Sequence, residues 1–134
     1  MVRTAPPMIS IVDDDGVVRE ATADLVSSLG YHTRTFASGE AFLEAGELEQ
    51  TSCLITDFQM PGLDGLQLQS RLLDEGHRIP VIFITAFPTA SVRQRAMSSG
   101  AVAFLTKPFE EASLIHSIEA ALAQIESRDD SGSG

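Results

Sequence analysis

Four groups of polar residues in this chain have the types and positions that suit chemistry on a phosphoryl group. The acids Asp13–Asp15 follow one apolar run, Asp57 follows another, and Thr85 and Lys107 each follow a further run. Clustered carboxylates repel one another, and a hard cation such as Mg²⁺ relieves that repulsion while keeping places for waters and phosphate oxygens. A carboxylate can also be a covalent acceptor in phosphoryl transfer, and an ammonium group offsets the transferred charge. These residue types therefore indicate a metal-assisted phosphoryl-acceptor site.

The elements that must position these groups alternate along the chain. Segments with helical spacing separate short apolar runs, which lie at 8–12, 53–56, 81–84 and 102–105, with a weaker run at 32–36. Alternating strands and helices imply parallel pairing with right-handed crossovers, and uniformly apolar strands are expected when helices cover both sheet faces. The sequence thus predicts an α/β fold with a doubly wound, five-stranded parallel sheet. Such folds bind ligands outside the carboxyl ends of the strands, where all four polar groups fall.

Caps and breakers predict where the helices lie. The first helix is expected to begin near Gly16 with Asp14 or Asp15 as its cap, and Ser38 can cap the second. Three further helices are predicted at 63–73, at 89–99 and, from apolar spacing, around 114–125. The end of the chain is polar and closes with Ser-Gly-Ser-Gly, which is typical of a linker. We therefore expect one domain at 1–126 and a flexible polar tail at 127–134.

The composition limits the classes of function. A chain of 134 residues, 43% of them hydrophobic, fits a single domain. A formal net charge of −10 with nine scattered Lys and Arg residues argues against direct nucleic-acid binding by this segment. The apolar runs are too short to cross a membrane. Cys53, the only cysteine, lies in an apolar stretch and is expected to be a buried hydrophobe. Together these features suit a cytoplasmic protein.

Four short sequence motifs resemble those of a known family. They are Ile11–Asp15, Asp57–Gly65, Ile84–Ala86 and Lys107–Phe109. In this order and spacing they resemble the signature of response-regulator receiver domains of two-component signalling, over about residues 8 to 125. The stretches 42–43 and 100–104 are similar to those of FixJ-type regulators, many of which act in transcription. The resemblance implies a flavodoxin-like (βα)5 fold with strand order 2-1-3-4-5.

The resemblance also implies a role for each acid. Asp57 would be the phosphoacceptor. Asp13, Asp14 and Asp57, with the backbone carbonyl of Gln59, would hold Mg²⁺ or Mn²⁺. Asp15 falls one place beyond the acidic pair and is assigned to helix capping.

Further implied roles concern the switch and its partners. Thr85 would be the switch hydroxyl, Lys107 would contact the phosphoryl group, and the Lys107–Pro108 bond would be cis. Phe104 would turn inward on activation, although a permanent core position is an alternative. The implied partners are a sensor histidine kinase or histidine phosphotransfer protein, an output domain or protein, and a second copy in a homodimer formed on phosphorylation. The helix at 89–99, with the last strand and helix, is expected to form the output surface.

Three alternatives stand beside this interpretation. One is an enzyme with an aspartate nucleophile, but such phosphatases and phosphotransferases place a second acid two residues later, where this chain has Gln59. Another is an interaction module that works without phosphorylation, which usually lacks one of the acids or the lysine. The third is a nucleotide-binding module, for which no Gly-rich phosphate loop is present. The preferred interpretation is a phosphoacceptor switch, not an enzyme.

Overall fold

The carboxyl ends of five parallel strands meet at one edge of a single sheet. The computed structural model describes residues 6–46 and 48–133, with side chains described as far as Ile125. The strands are β1 Met8–Val12, β2 His32–Phe36, β3 Cys53–Asp57, β4 Val81–Thr85 and β5 Ala103–Thr106. They lie in the order β2-β1-β3-β4-β5, and all four pairings are parallel. The predicted doubly wound sheet and its strand order are confirmed.

The helices connect these strands in alternation. They are α1 Gly16–Ser28, α2 Gly39–Glu44, α3 Gly65–Asp74, α4 Ala90–Ser98 and α5 Glu111–Ser133, with a short 3₁₀ turn at Leu48–Gln50. The bounds of α5 take in most of the segment predicted as a tail. Because the side chains of residues 126–134 lie outside the described part of the structure, the domain boundary at 126 stays a prediction.

Side-chain caps set the helix starts. Asp15 accepts hydrogen bonds from the backbone of Val17 and Val18 and so begins α1, which confirms it as the cap. Ser38 caps α2 as expected. The predicted start of α3 at Leu63 is wrong by two residues, because Asp64 forms a capping box with Gln67 and the helix begins after it.

The core lies on both faces of the sheet, as uniformly apolar strands require. One face packs against α2, α3 and α4 through buried residues such as Phe42, Leu68 and Val92. The other face packs against α1 and α5 through residues such as Val26 and Ile118. Strand β2 is an edge strand and is largely exposed, which explains its weak apolar signal.

Cys53 is fully buried in the second of these faces. Burial raises the pKa of its thiol to about 12, so the group is un-ionised at neutral pH and behaves as a small hydrophobe, as predicted. Among the described helices, none combines the length and the apolar character that crossing a membrane demands.

Candidate functional site

The strand register brings an acid and a base together at the carboxyl edge. Asp57 is the last residue of β3, and Asp13 directly follows β1, whose last residue Val12 pairs with Thr56. Lys107 directly follows β5. Its Nζ lies 3.0 Å from Asp57 Oδ2, to which it donates a hydrogen bond, and 2.9 Å from Asp13 Oδ2. Two carboxylates at the ends of the neighbouring strands β1 and β3 thus share one ammonium group.

A third carboxylate completes an acidic cluster. One oxygen from each of Asp13, Asp14 and Asp57 lies within 4.8 Å of the others, with Asp14 exposed and the other two buried. Three carboxylates against one ammonium leave two negative charges, which is the charge that a divalent cation neutralises. Asp13 Oδ2 is buried and, despite its ion pair with Lys107, accepts no hydrogen bond from a described residue. These oxygen ligands fit a hard cation such as Mg²⁺.

Short loops hold the acids in place. Asp13 Oδ1 accepts a hydrogen bond from the backbone N–H of Asp15 at 2.9 Å, and the Arg19 guanidinium donates to the Asp13 carbonyl at 2.7 Å. On the neighbouring strand, Asp57 Oδ1 accepts from the Gln59 N–H at 3.2 Å. One oxygen of each buried carboxylate is therefore held by a backbone N–H, and the other faces Lys107.

The same contacts shift two pKa values. Burial raises the pKa of Asp57, and the charge of Asp13 adds to this. The hydrogen bond and charge of Lys107 and the N–H of Gln59 oppose it without cancelling it. Burial lowers the pKa of Lys107, but the two carboxylates paired with it, Asp13 and Asp57, stabilise the ammonium by more than burial costs and leave that pKa raised. Lys107, the only lysine in the chain, is therefore held as a cation between two acids.

Thr85 lies at the same edge, on the next strand. Asp57 pairs with Ile84, so Thr85 is one residue beyond it, and Thr85 pairs with Thr106, which precedes Lys107. The Thr85 side chain is buried, and its hydroxyl oxygen accepts a hydrogen bond from the Phe87 N–H at 3.0 Å. Its carbonyl accepts from the Lys107 N–H at 2.7 Å. The Lys107–Pro108 bond is cis, as expected.

An aromatic row lies under this edge and touches α4. Phe58, which follows the candidate acceptor, makes edge-to-face contacts with Phe83 at 5.1 Å and with Phe104 at 6.4 Å. Arg93 lies over the Phe104 ring at 5.1 Å, and Arg95 lies over the Phe58 ring at 5.7 Å. Phe104 is 9% exposed, so in this structure it already has the inward position. The two arginines flank the narrow buried stripe of α4 and connect the helix to these rings.

Gly65 permits the close packing of α3 behind the acceptor. A Cβ at this position would overlap the carbonyl oxygen of Asp57 and would lie 3.1 Å from Phe58 Cα and from Phe83 Cε1. The Gly65 N–H donates to the Phe58 carbonyl at 3.0 Å. The absence of a side chain therefore lets the start of α3 hold the backbone on either side of the acceptor's peptide bond.

The structure brings Asp13, Asp14, Asp57 and Lys107 into one site and puts Thr85 on the adjacent strand. The Gln59 N–H reaches Asp57, while the assignment of its carbonyl to an ion stays a prediction. Sequence reasoning missed Arg19. Its signal was its position four residues after the helix cap Asp15, one turn along, from which a long side chain can fold back over the cap.

Known proteins are similar to this chain in sequence and in fold. The response regulator receiver domain model matches residues 9–119. The chain is 42% identical to Response regulator protein TmoT of Ectopseudomonas mendocina over 116 residues, which are 86% of this chain and 52% of TmoT. It is 37% identical to Transcriptional regulatory protein FixJ of Azorhizobium caulinodans, over 87% of this chain and 55% of FixJ. The structure of response regulator StyR matches with a TM-score of 0.84 at 40% identity, over 96% of this chain and 65% of StyR.

The doubly wound parallel sheet makes this protein an α/β domain of the class that binds ligands at the carboxyl ends of its strands, and the acid cluster and the lysine lie at that edge. The chain belongs to the response regulator receiver domain family of two-component systems, and its sequence is of the FixJ type. Receiver domains of this family are switches that interact with histidine kinases and output domains. The chain spans about half the length of the curated relatives it matches.

Proposed function

We propose that this domain accepts a phosphoryl group on Asp57 in a Mg²⁺-dependent step. The donor would be a histidine kinase or a histidine phosphotransfer protein. The observation that carries the proposal is the shared ammonium group: Lys107 Nζ lies 3.0 Å from Asp57 Oδ2 and 2.9 Å from Asp13 Oδ2, within a cluster of three carboxylates. No role in core packing requires two buried acids, a third acid beside them and the only lysine of the chain to meet at the carboxyl edge of the sheet.

The chemistry assigns a task to each of these residues. A carboxylate oxygen of Asp57 forms the new O–P bond while the P–N bond of the donor phosphohistidine breaks, and the imidazole leaves with that electron pair. Lys107 stays within hydrogen-bond reach of the acceptor and pairs with the phosphoryl oxygens, which carry more negative charge than the carboxylate they replace. The Thr85 hydroxyl donates to one of these oxygens once the group is attached.

The ion would be held by Asp13, Asp14, Asp57 and the backbone carbonyl of Gln59. When bound, Mg²⁺ supplies positive charge that stabilises the transferring phosphoryl oxygens. The buried Asp13 Oδ2, with no hydrogen bond from the described residues, is suited to coordinate through that oxygen. Mn²⁺ has the same ligand preference and can replace Mg²⁺.

The phosphorylated state would change partner binding through α4, β5 and α5. Helix α4 is weakly anchored, since Val92 and Ala96 are its buried residues and Arg93 and Arg95 make its ring contacts. A loosely held element is the kind that a local charge change can shift. When Thr85 turns to the phosphoryl group, its bond to the loop before α4 is lost, which favours a new position of that helix. An output domain, a protein partner or a second phosphorylated copy would bind this surface.

An enzyme role is not favoured. The residue two places after Asp57 is Gln59, which supplies no second acid for turnover. We propose that chemistry at this site is limited to self-phosphorylation from small donors and self-dephosphorylation. A cytoplasmic location agrees with a single buried cysteine that needs no oxidising compartment.

The test is incubation with acetyl phosphate in Mg²⁺ and in EDTA, followed by intact-mass analysis. We expect one phosphoryl adduct on the native protein in Mg²⁺ and none in EDTA. Asp57→Asn should give no adduct, while the matched control Asp24→Asn, an exposed acid of α1, should behave as the native protein. An adduct that forms equally in EDTA would contradict the role of the ion.

A further inference from the structure

Arg19 lies where helix stability does not favour a cation. It is the fourth residue of α1, whose cap is Asp15, and its side chain folds back past the start of the helix. There its Nη1 donates a hydrogen bond of 2.7 Å to the carbonyl oxygen of Asp13. A positive charge at a helix N-terminus opposes the helix dipole, so this position weakens α1 slightly. Because a cation is unfavourable at this end of the helix, its presence next to the candidate site suggests that it has a role in that site.

The contact completes a set of hydrogen bonds around Asp13. The Asp13 N–H donates to the Phe36 carbonyl at 3.1 Å, and Asp13 Oδ1 accepts from the Asp15 N–H at 2.9 Å. Arg19 holds the remaining backbone group, the carbonyl. That carbonyl belongs to the peptide unit that joins Asp13 to Asp14, so the guanidinium fixes the plane of the link between two acids of the cluster.

We propose that Arg19 is a positioning residue for the divalent-ion site. It holds the Asp13–Asp14 peptide in the orientation from which both carboxylates point at one cation. It does not itself touch the ion or the phosphoryl group. This inference rests on the proposed function, because it assigns Arg19 to the same ion site.

The sign of the effect separates positioning from simple electrostatics. Arg19 is a cation close to a cation site, so by charge alone its removal strengthens ion binding. If its main action is to orient the acids, its removal weakens ion binding, as loss of an outer contact to a ligand typically does by 10–100-fold. The two explanations therefore predict opposite shifts in the dissociation constant.

The experiment is calorimetric titration of the protein with Mn²⁺ alone, with no phosphodonor present. We expect Arg19→Met to bind Mn²⁺ about tenfold more weakly than the native protein. Arg19→Lys keeps the charge and one donor, so it should recover most of the affinity. The matched control is Arg71→Met, which removes an exposed arginine of α3 that pairs only loosely with Glu75, at 3.7 Å. It should bind as the native protein does.

Unfolding of each variant by urea in EDTA establishes that it is folded before titration. Should Arg19→Met not fold, Arg19→Gln takes its place, because it removes the charge and the reach while staying polar. Native or tighter Mn²⁺ binding by the folded variant overturns the inference and leaves the proposed function intact. A native protein that binds no Mn²⁺ overturns both.

Discussion

Lys107→Met should destabilise the ion-free protein strongly. The Lys107 ammonium is the counter-charge of two carboxylates, with side chains that are 14% exposed for Lys107, 9% for Asp57 and fully buried for Asp13. Removing one partner of a buried ion pair costs about 3–5 kcal/mol, because it leaves an uncompensated charge. We expect about 2–3 kcal/mol here, since this site borders solvent and Asp57, whose pKa is raised, can take up a proton. With a urea slope of about 2 kcal/mol/M, the unfolding midpoint falls by about 1–1.5 M.

The pH dependence of this effect follows from the raised pKa of Asp57. A carboxyl group with a raised pKa in the folded state favours folding at low pH, and that contribution is lost as the pH rises through the folded value. Lys107 holds the pKa of Asp57 down, so its removal raises that pKa further and increases the loss at neutral pH. The difference in unfolding free energy between native and Lys107→Met should therefore be large at pH 7 and smaller at pH 4.

The measurement is the free energy of unfolding in urea at pH 7 and pH 4, in EDTA and in Mg²⁺. It compares the native protein with Lys107→Met and with the control Arg71→Met. The control removes a surface cation whose side chain is 55% exposed, and it should change stability by less than about 0.5 kcal/mol. Mg²⁺ should restore part of the stability of Lys107→Met by supplying positive charge. Equal stability of native and Lys107→Met at pH 7 in EDTA would refute the charge assignment.

Three further predictions concern other contacts of the site. Gly65→Ala should lose at least about 2 kcal/mol of unfolding free energy in urea, because its Cβ would overlap the backbone. The control Gly16→Ala is also at the first residue of a helix, but its Cβ would make ordinary contacts, so its stability should be near that of the native protein. Arg95→Gln removes a cation–ring contact worth about 0.5–1 kcal/mol, so amides of α4 should exchange with deuterium about two- to fivefold faster. The control Gln94→Met, at an exposed position of the same helix, keeps a similar helix propensity and should leave them unchanged. Lys107 has a raised pKa and little exposure, so it should react with an amine-acylating reagent several-fold more slowly in the native protein than in urea. Mass analysis of the peptides measures both rates, and equal rates would contradict the pairing of Lys107 with the two acids.

Much of the site could be predicted because its position depends on topology alone. In a parallel sheet every strand ends at the same edge, so residues that follow apolar runs must meet there whatever their side-chain conformations. This rule alone is enough to predict that Asp57 and Lys107 lie at the same edge. Thr85 was expected just beyond β4 and proves to be its last residue, since pairing with Thr106 continues to the strand end.

The predicted start of α3 is misplaced because it follows apolar spacing in preference to a capping pattern that the sequence contains, Asp64 followed three residues later by Gln67. Leu63 continues the apolar spacing of the helix, yet it lies in the loop, where its N–H donates to Glu40 at 3.2 Å and its side chain packs close to Gly39. These contacts join parts of the chain more than twenty residues apart. Spacing within one segment does not reveal these contacts, whereas the capping box of Asp64 and Gln67 is a local pattern and decides the boundary.

The contacts of Arg19, Arg93 and Arg95 could not be predicted from the sequence either. Arg93 and Arg95 indicated only a basic edge on α4, because a ring contact depends on where β5 and the loop after β3 lie in three dimensions. Arg19 could be placed near the helix start, but its bond to the Asp13 carbonyl depends on the side chain folding back. Long side chains with many rotamers carry little positional information in sequence alone.

Borohydride reduction shows directly whether Asp57 carries the phosphoryl group. Borohydride reduces an aspartyl phosphate to homoserine, so the native protein treated with acetyl phosphate and Mg²⁺, then reduced and digested, should contain homoserine at position 57. Reduction without the phosphodonor should leave Asp57 unchanged. Homoserine at another aspartate, or a phosphoryl adduct that persists in Asp57→Asn, would mean that Asp57 is not the acceptor.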